Sequence, residues 1–151
     1  MKLVVAIAIL IIGPLSIVSA QAPQKKNAAA PVVDNQAVRS SAAFAEVILR
    51  RAELEADLES LLMEFTDEYP KVKENRYTLS QLQKQIDRLL ATKPAEVSKL
   101  TLALGKLMVK KAELDTDLWS LQEGLADGHP DVKRAKRKVE IFEKAIKEIL
   151  G

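Results

Sequence analysis

Residues 49–72 read LRRAELEADLESLLMEFTDEYPKV, and residues 109–132 read VKKAELDTDLWSLQEGLADGHPDV. Laid over one another, Ala52, Glu53, Leu54, Asp57, Leu58, Ser60 and Leu61 meet Ala112, Glu113, Leu114, Asp117, Leu118, Ser120 and Leu121. The match extends at an offset of 60 residues from Leu49–Leu90 onto Val109–Leu150, where 14 of 42 positions are identical. Repetition at this length implies one supersecondary unit built twice. In each unit a proline, Pro70 or Pro130, follows a long apolar-periodic run. The residue before a proline is steered out of the helical region, while proline itself suits the start of a new helix. Each unit therefore reads as helix, tip, helix, with tips at Tyr69-Pro70 and His129-Pro130.

The apolar spacing supports helices throughout. Phe44, Val47, Leu54, Leu58, Leu61 and Phe65 fall on alternating steps of three and four once Arg51 is given a seam position. Val72, Leu79, Leu82, Ile86 and Leu89 continue the scheme, with Asn75 at a seam slot. A third run holds Leu100, Leu104, Leu107, Lys111, Leu114, Leu118, Leu121 and Leu125, and a fourth holds Val132, Ala135, Val139, Phe142, Ile146 and Ile149. Stripes of this kind require helical partners. The expected fold is all-α, two tandem antiparallel helical hairpins forming a coiled coil or four-helix bundle. The spacing predicts helices near 37–68, 71–91, 95–126 and 130–150, the longer arms about 45 Å and the shorter about 30 Å. Hairpin 1 would span 37–91 and hairpin 2 95–151, joined by a connector at 92–94. Leu90, Lys93, Val97 and Leu100 keep the heptad phase across that connector, so a single helix kinked at Pro94 is the alternative. Gly128 is placed to take the left-handed conformation at a helix end, and Asp131 to favour the first turn of the last helix.

Charge is patterned along these arms. From Phe44 to Glu68 there are eight acidic and two basic residues, and from Pro70 to Ala91 two acidic and five basic. The second unit repeats the bias, with six acids and four bases over Ala95–Gly128, then four acids and seven bases over Pro130–Leu150. Flanking charges of opposite sign select antiparallel partners, although exposed pairs each contribute only a few tenths of a kcal/mol. Burial of the apolar seams must carry the stability.

The chain opens as exported proteins do. Lys2 precedes an apolar run from Leu3 to Ile12, Gly13-Pro14 interrupts it, and Val18-Ser19-Ala20 offers a cleavage site. Residues 1–20 thus read as a signal peptide, with periplasmic or secreted localisation; the competing reading is a retained anchor. Residues 21–36 are rich in Ala, Pro, Lys, Asn and Gln without a period and read as a disordered linker. The absence of cysteine excludes disulfide and metal-thiolate chemistry. A formal net charge of +2, lowered by one without Lys2, makes no bulk case for nucleic acid.

Candidate sites are few. His129 is the sole histidine and stands at a tip between Asp127 and Asp131, where no convergent set of ligands is expected. No catalytic constellation, cofactor or metal is predicted. Glu53 with Asp57, and Glu113 with Asp117, read as solvated helix faces. Lys133, Arg134, Lys136, Arg137 and Lys138 put five cations into six positions. They read either as partners of the acidic arm or as a contact for an anionic glycan or lipid surface. Arg51 and Lys111 occupy the same seam slot and read as register-setting or snorkelling cations. Trp119 lies off the narrow seam and reads as a contact between hairpins. The limited apolar area of the seams, Leu54, Leu58, Leu61, Leu114, Leu118 and Leu121 among them, predicts a homo-oligomer or a coiled-coil protein partner.

His129, Pro130, Asp131 and Val132, preceded by a Leu-rich arm and followed by Val139, Phe142 and Ile146, resemble the periplasmic coiled-coil arm of the Wzz-like polysaccharide chain-length determinant family. Tyr69, Pro70, Lys71 and Val72 resemble a weaker copy. The resemblance covers the hairpins alone, and it implies a long helix turning back at the tip within oligomers that govern surface-glycan export. Two function classes follow: an exported structural or interaction module linked to envelope polysaccharide export or assembly, and a small periplasmic helical chaperone resembling Spy/CpxP-like proteins. The Leu-Thr-x-x-Gln motif of the latter is not matched, since Leu100-Thr101-Leu102-Ala103 runs into Leu104.

Overall fold

The computed structural model describes residues 35–151. Among these residues every regular element is helical. The elements are α1 (Asn35–Arg39), α2 (Ala42–Glu64), α3 (Pro70–Leu90), a 3₁₀ helix (Pro94–Lys99), α4 (Leu102–Gly124) and α5 (Pro130–Leu150). No helix of the described residues is long and apolar enough to cross a membrane. The expected signal peptide and most of the expected linker lie outside the described residues; Asn35 and Gln36, placed in that linker by composition, belong to α1.

The first long helix departs from expectation because two serines divide it. Ser41 is extended, with φ −74° and ψ 151°, and its hydroxyl accepts from the Phe44 amide at 3.2 Å. Serine at this position satisfies an orphan donor of the next helix, so it starts α2 instead of continuing α1. Thr101 does the same for α4, accepting from the Leu104 amide at 3.3 Å. That cap moves the start of α4 to Leu102 from the expected position near 95. Lys93 is extended, with φ −67° and ψ 147°, as a residue before proline prefers, which removes the kinked continuous helix. Pro94 then opens the 3₁₀ turn.

The unequal arms are corrected as well. α2 and α4 have 23 residues each, α3 and α5 have 21 each, or about 34 and 31 Å at 1.5 Å per residue. The long arms end early because Phe65 (φ −125°, ψ 155°) and Leu125 (φ −128°, ψ 142°) turn extended. Gly128 does not take the left-handed conformation; among the described residues Gly151, φ 97°, is the glycine with positive φ.

Contacts run between α2 and α3, between α4 and α5, and from α4 to both α2 and α3. Thr78 meets Thr116 and Glu74 meets Ser120, so α3 and α4 run in opposite directions. Ala43 lies beside Gly105 and Arg50 beside Glu113, so α2 and α4 run in the same direction. Lys99 Nζ reaches the Leu150 carbonyl at 3.1 Å, tying the end of the 3₁₀ helix to the end of α5.

The core gathers where α1, the 3₁₀ helix and the starts of α2 and α4 converge. Val38, Val47, Leu82, Leu89, Leu104, Met108 and Ile146 are fully buried there. On α4, Leu104, Met108 and Ala112 form a second stripe at steps of four, beside the heptad seam. A helix touching three others buries a wider face than a seam provides.

Gly105 permits a close approach of α4 to α2. A Cβ there would stand 2.9 Å from the Ala43 Cα, the Ala43 carbonyl oxygen and the Glu46 Cβ. Gly124, by contrast, has open space around it. Alanine in place of helical glycine brings about 1 kcal/mol of propensity, while overpacking against backbone costs roughly 1–3 kcal/mol. Gly105→Ala should therefore lower the melting temperature and Gly124→Ala should hold or raise it, as read by thermal circular dichroism.

Candidate functional site

The tip-proximal halves of the four long helices do not close on one another. They surround a groove of about 870 Å³ whose apolar lining is Leu54 of α2, Leu114 and Leu121 of α4 and Ala135 of α5, with Asn75 and Thr78 of α3 and Thr116 of α4 beside them. The expected seam shows where packing stops. Leu54 and Leu114 are buried at 5% and 8% exposure, whereas Leu58, Leu61, Leu118 and Leu121 are only half-buried. Phe65, the next seam position, just past the end of α2, is 37% exposed.

The groove carries both signs of charge. Arg50, Lys71, Lys110, Arg134 and Lys138 line it together with Asp57, Glu74, Glu113, Asp117 and Asp131. Arg50 bridges the two parallel helices, with Nη1 3.0 Å from Glu53 and Nη2 3.2 Å from Glu113. Asn75 and the hydrogen-bonded pair Thr78–Thr116, 2.8 Å apart, place polar groups on its inner wall.

Of the basic stripe, Arg134 and Lys138 line this groove and Lys133, Lys136 and Arg137 do not. Arg134 pairs with Asp131 at 2.5 Å, Arg137 with Glu140 at 3.1 Å, and Lys136 with Asp127 at 2.9 Å. The stripe thus pairs along its own helix through Arg134 and Arg137, and through Lys136 with Asp127, one of the acids of the preceding arm. Pairs at i,i+3 need no register between helices, which is why opposite-signed arms are a weak guide to cross-helix contacts.

The tips have matching backbones and different surfaces. Tyr69 and His129 each precede the proline that starts the following helix, and their amides donate to Thr66 and Ala126 carbonyls at 3.0 and 2.9 Å. Tyr69 stacks on Phe65 with ring centroids 4.1 Å apart. His129 Nδ1 accepts from the Asp131 amide at 3.2 Å, so the sole histidine caps α5. Leu62, Met63, Phe65 and Tyr69 are all exposed, Met63 at 85%. The positions 60 residues on are Gln122, Glu123, Leu125 and His129.

A second polar cluster joins α3, α4 and α5. Arg88 Nη1 lies 3.2 Å from Glu143, Lys111 Nζ lies 2.7 Å from Asp115 and 3.9 Å from Glu143, and Lys147 lies 3.5 Å from Glu143. Glu143 therefore joins three helices and Lys111 links α4 to α5 through it, while Arg51 in the slot corresponding to Lys111 pairs with Glu55 of its own helix at 3.3 Å. Beside the cluster Tyr77 stacks on Trp119 at 4.8 Å, which places the tryptophan between α3 and α4. Burial, with the Asp115 charge nearby, pushes the Tyr77 hydroxyl above its ordinary value. Among the described residues no group of three or more His, Asp or Glu is placed to hold a metal ion.

No family model, no curated protein and no solved structure matches this chain.

Lys111 is the least exposed partner of its cluster, so removing it leaves Asp115 and Glu143 uncompensated in partial burial. Lys111→Met should cost about 1–2 kcal/mol after allowance for solvent screening, and adding Asp115→Asn should recover part of it. Urea denaturation of the single and double variants measures both.

At the tips, hydrogen bonding and charge from Lys73 hold Glu68 below its ordinary pKa, and a hydrogen bond from Gln122 followed by Lys136 does so for Asp127. A carboxylate whose folded pKa is lowered adds stability above its unfolded pKa and loses it as pH falls through the folded value. Gln122→Ala should raise the Asp127 pKa toward its unperturbed value of about 3.9 in a carbon-13 carboxyl titration. The difference in stability between variant and wild type should vanish once both forms are protonated.

Proposed function

We propose that this chain is an exported helical scaffold of the bacterial envelope, built as two tandem antiparallel hairpins, whose working surface is the groove between its long helices. One observation carries the reading: Leu54, Leu114 and Leu121 of the leucine seams line a groove that the chain does not fill, and the seam positions Leu58, Leu61 and Leu118 are only half-buried. Apolar seams left open on rigid helices are what coiled-coil partners dock against. Duplication of a hairpin is supported by helix bounds that recur at the same offset of 60 as the sequence, Ala42–Glu64 with Leu102–Gly124 and Pro70–Leu90 with Pro130–Leu150. Association with polysaccharide export rests on the resemblance at His129–Val132.

The exposed Leu62-Met63 and Phe65-Tyr69 tip favours a second reading, a chaperone that holds unfolded chains, because methionine and aromatic side chains adapt to irregular apolar clients. Two measurements decide. Cell fractionation with N-terminal sequencing of the protein from cells should place it outside the cytoplasm and starting at Gln21. A light-scattering assay with a thermally unfolded client should show no suppression of aggregation at equimolar ratio. Suppression that Met63→Glu abolishes would establish the chaperone instead.

A further inference from the structure

Resting on the reading of the groove as an interaction surface, we infer that its occupant is the α2–α3 tip of a second copy of this chain, inserted reciprocally about a two-fold axis. The groove asks for a partner with apolar side chains on a helix end and with charges of both signs. A polyanion is a poor fit, because it would meet five carboxylates alongside five cations. The chain's own tip has the required chemistry. Leu62, Met63 and Phe65 close α2 with exposed side chains, and Tyr69 extends the patch across the turn.

Position agrees with chemistry. Patch and groove both belong to the tip-proximal half of the bundle, so two copies overlapping there in opposite directions bring each patch to the other's groove. An isologous contact makes every pairing twice, which doubles the buried apolar surface without a second kind of site. The rim provides a matched pair of charges. Glu64, at the end of α2, is exposed and makes no ion pair with described residues, and neither does Lys138 on the groove wall. Across the two-fold axis the first can face the second, in both directions at once.

The sister tip lacks these features. Gln122 and Glu123 replace the Leu-Met pair, and His129 is committed to capping α5. One tip inserts and the other does not, so association closes at two copies instead of propagating.

The test is sedimentation equilibrium of the full chain across micromolar to millimolar concentration. The wild type should show twice the chain mass. Met63→Glu, a fully solvated substitution that leaves helical circular dichroism unchanged, should be monomeric over the same range. Glu64→Lys and Lys138→Glu should each weaken association roughly tenfold, and the double variant should restore it, since reversed charges meet again. The chain has no cysteine, so a preparation carrying both Met63→Cys and Lys138→Cys should give disulfide-linked dimers on oxidation, and either alone should give far fewer. A wild type that is monomeric throughout, or a dimer indifferent to Met63→Glu, overturns the proposal. If the fractionation and client results still come out as expected, the scaffold reading stands with another occupant; if they fail too, both are lost.

Discussion

Close approach of two parallel helices at Ala43 and Gly105 is the constraint on which the bundle depends. With no side chain at Gly105, the α2 backbone settles against α4, and the Ala43 amide donates to the Leu100 carbonyl at 3.2 Å. That contact lets Val47, Leu104 and Met108 share one core with Leu82 and Leu89 of α3, while Val38 of α1 and Leu100, just past the 3₁₀ helix, complete it. Toward the tips the facing residues grow to Arg50 and Glu113, which meet only through an ion pair of about 3 Å. Arg50 and Glu113 both stand on the wall of the groove, so the unfilled volume lies where long side chains replace the small pair Ala43 and Gly105.

The two units share a sequence pattern and helix bounds but not an environment. α4 is covered by α2, α3 and α5, and α2 has α3 and α4 alone among the long helices. The counterpart of Gly105 is Ala45, which is exposed, and the counterpart of Lys111, which reaches Glu143 of α5, is Arg51, which pairs within its own helix. Matching surfaces of α2 and α4 cannot be used alike when one helix has more neighbours than the other. The first unit is thereby left with a free flank and the second becomes the centre.

Much of this architecture was legible in residues. Steps of three and four gave all four long helices, and Val47, Leu54, Val72, Leu82, Leu104, Val132 and Ile146 are buried as those steps require. The turns at Pro70 and Pro130 follow from proline's own geometry. What escaped was set by tertiary placement. Met108, Ala112 and Thr116 face helices that only the fold brings near, so an alternating seam passes them over. Ser41 and Thr101 are ordinary cap residues in sequence, and their effect on helix length appears only when their hydroxyls meet the amides three residues on. The basic stripe and the leucine seam were visible, but the groove joining Arg134 and Lys138 to Leu54 and Leu121 depends on how the fold brings four helices together.

The contrast between the tips narrows what the exposed apolar patch is for. Both tips have the same length and the same backbone hydrogen bond from the residue before proline, so the turn itself does not demand Leu62, Met63 or Tyr69. Gln122, Glu123 and His129 build an equivalent turn with polar side chains. Folding therefore has no need of the patch, and exposed apolar clusters carry an association hazard that a purely structural tip would shed. Stacking of Tyr69 on Phe65 holds two of its members in fixed orientation before any partner arrives, which lowers the entropy lost on docking. A patch unnecessary to the fold, ordered in advance and close to an unfilled groove, is best understood as part of a contact.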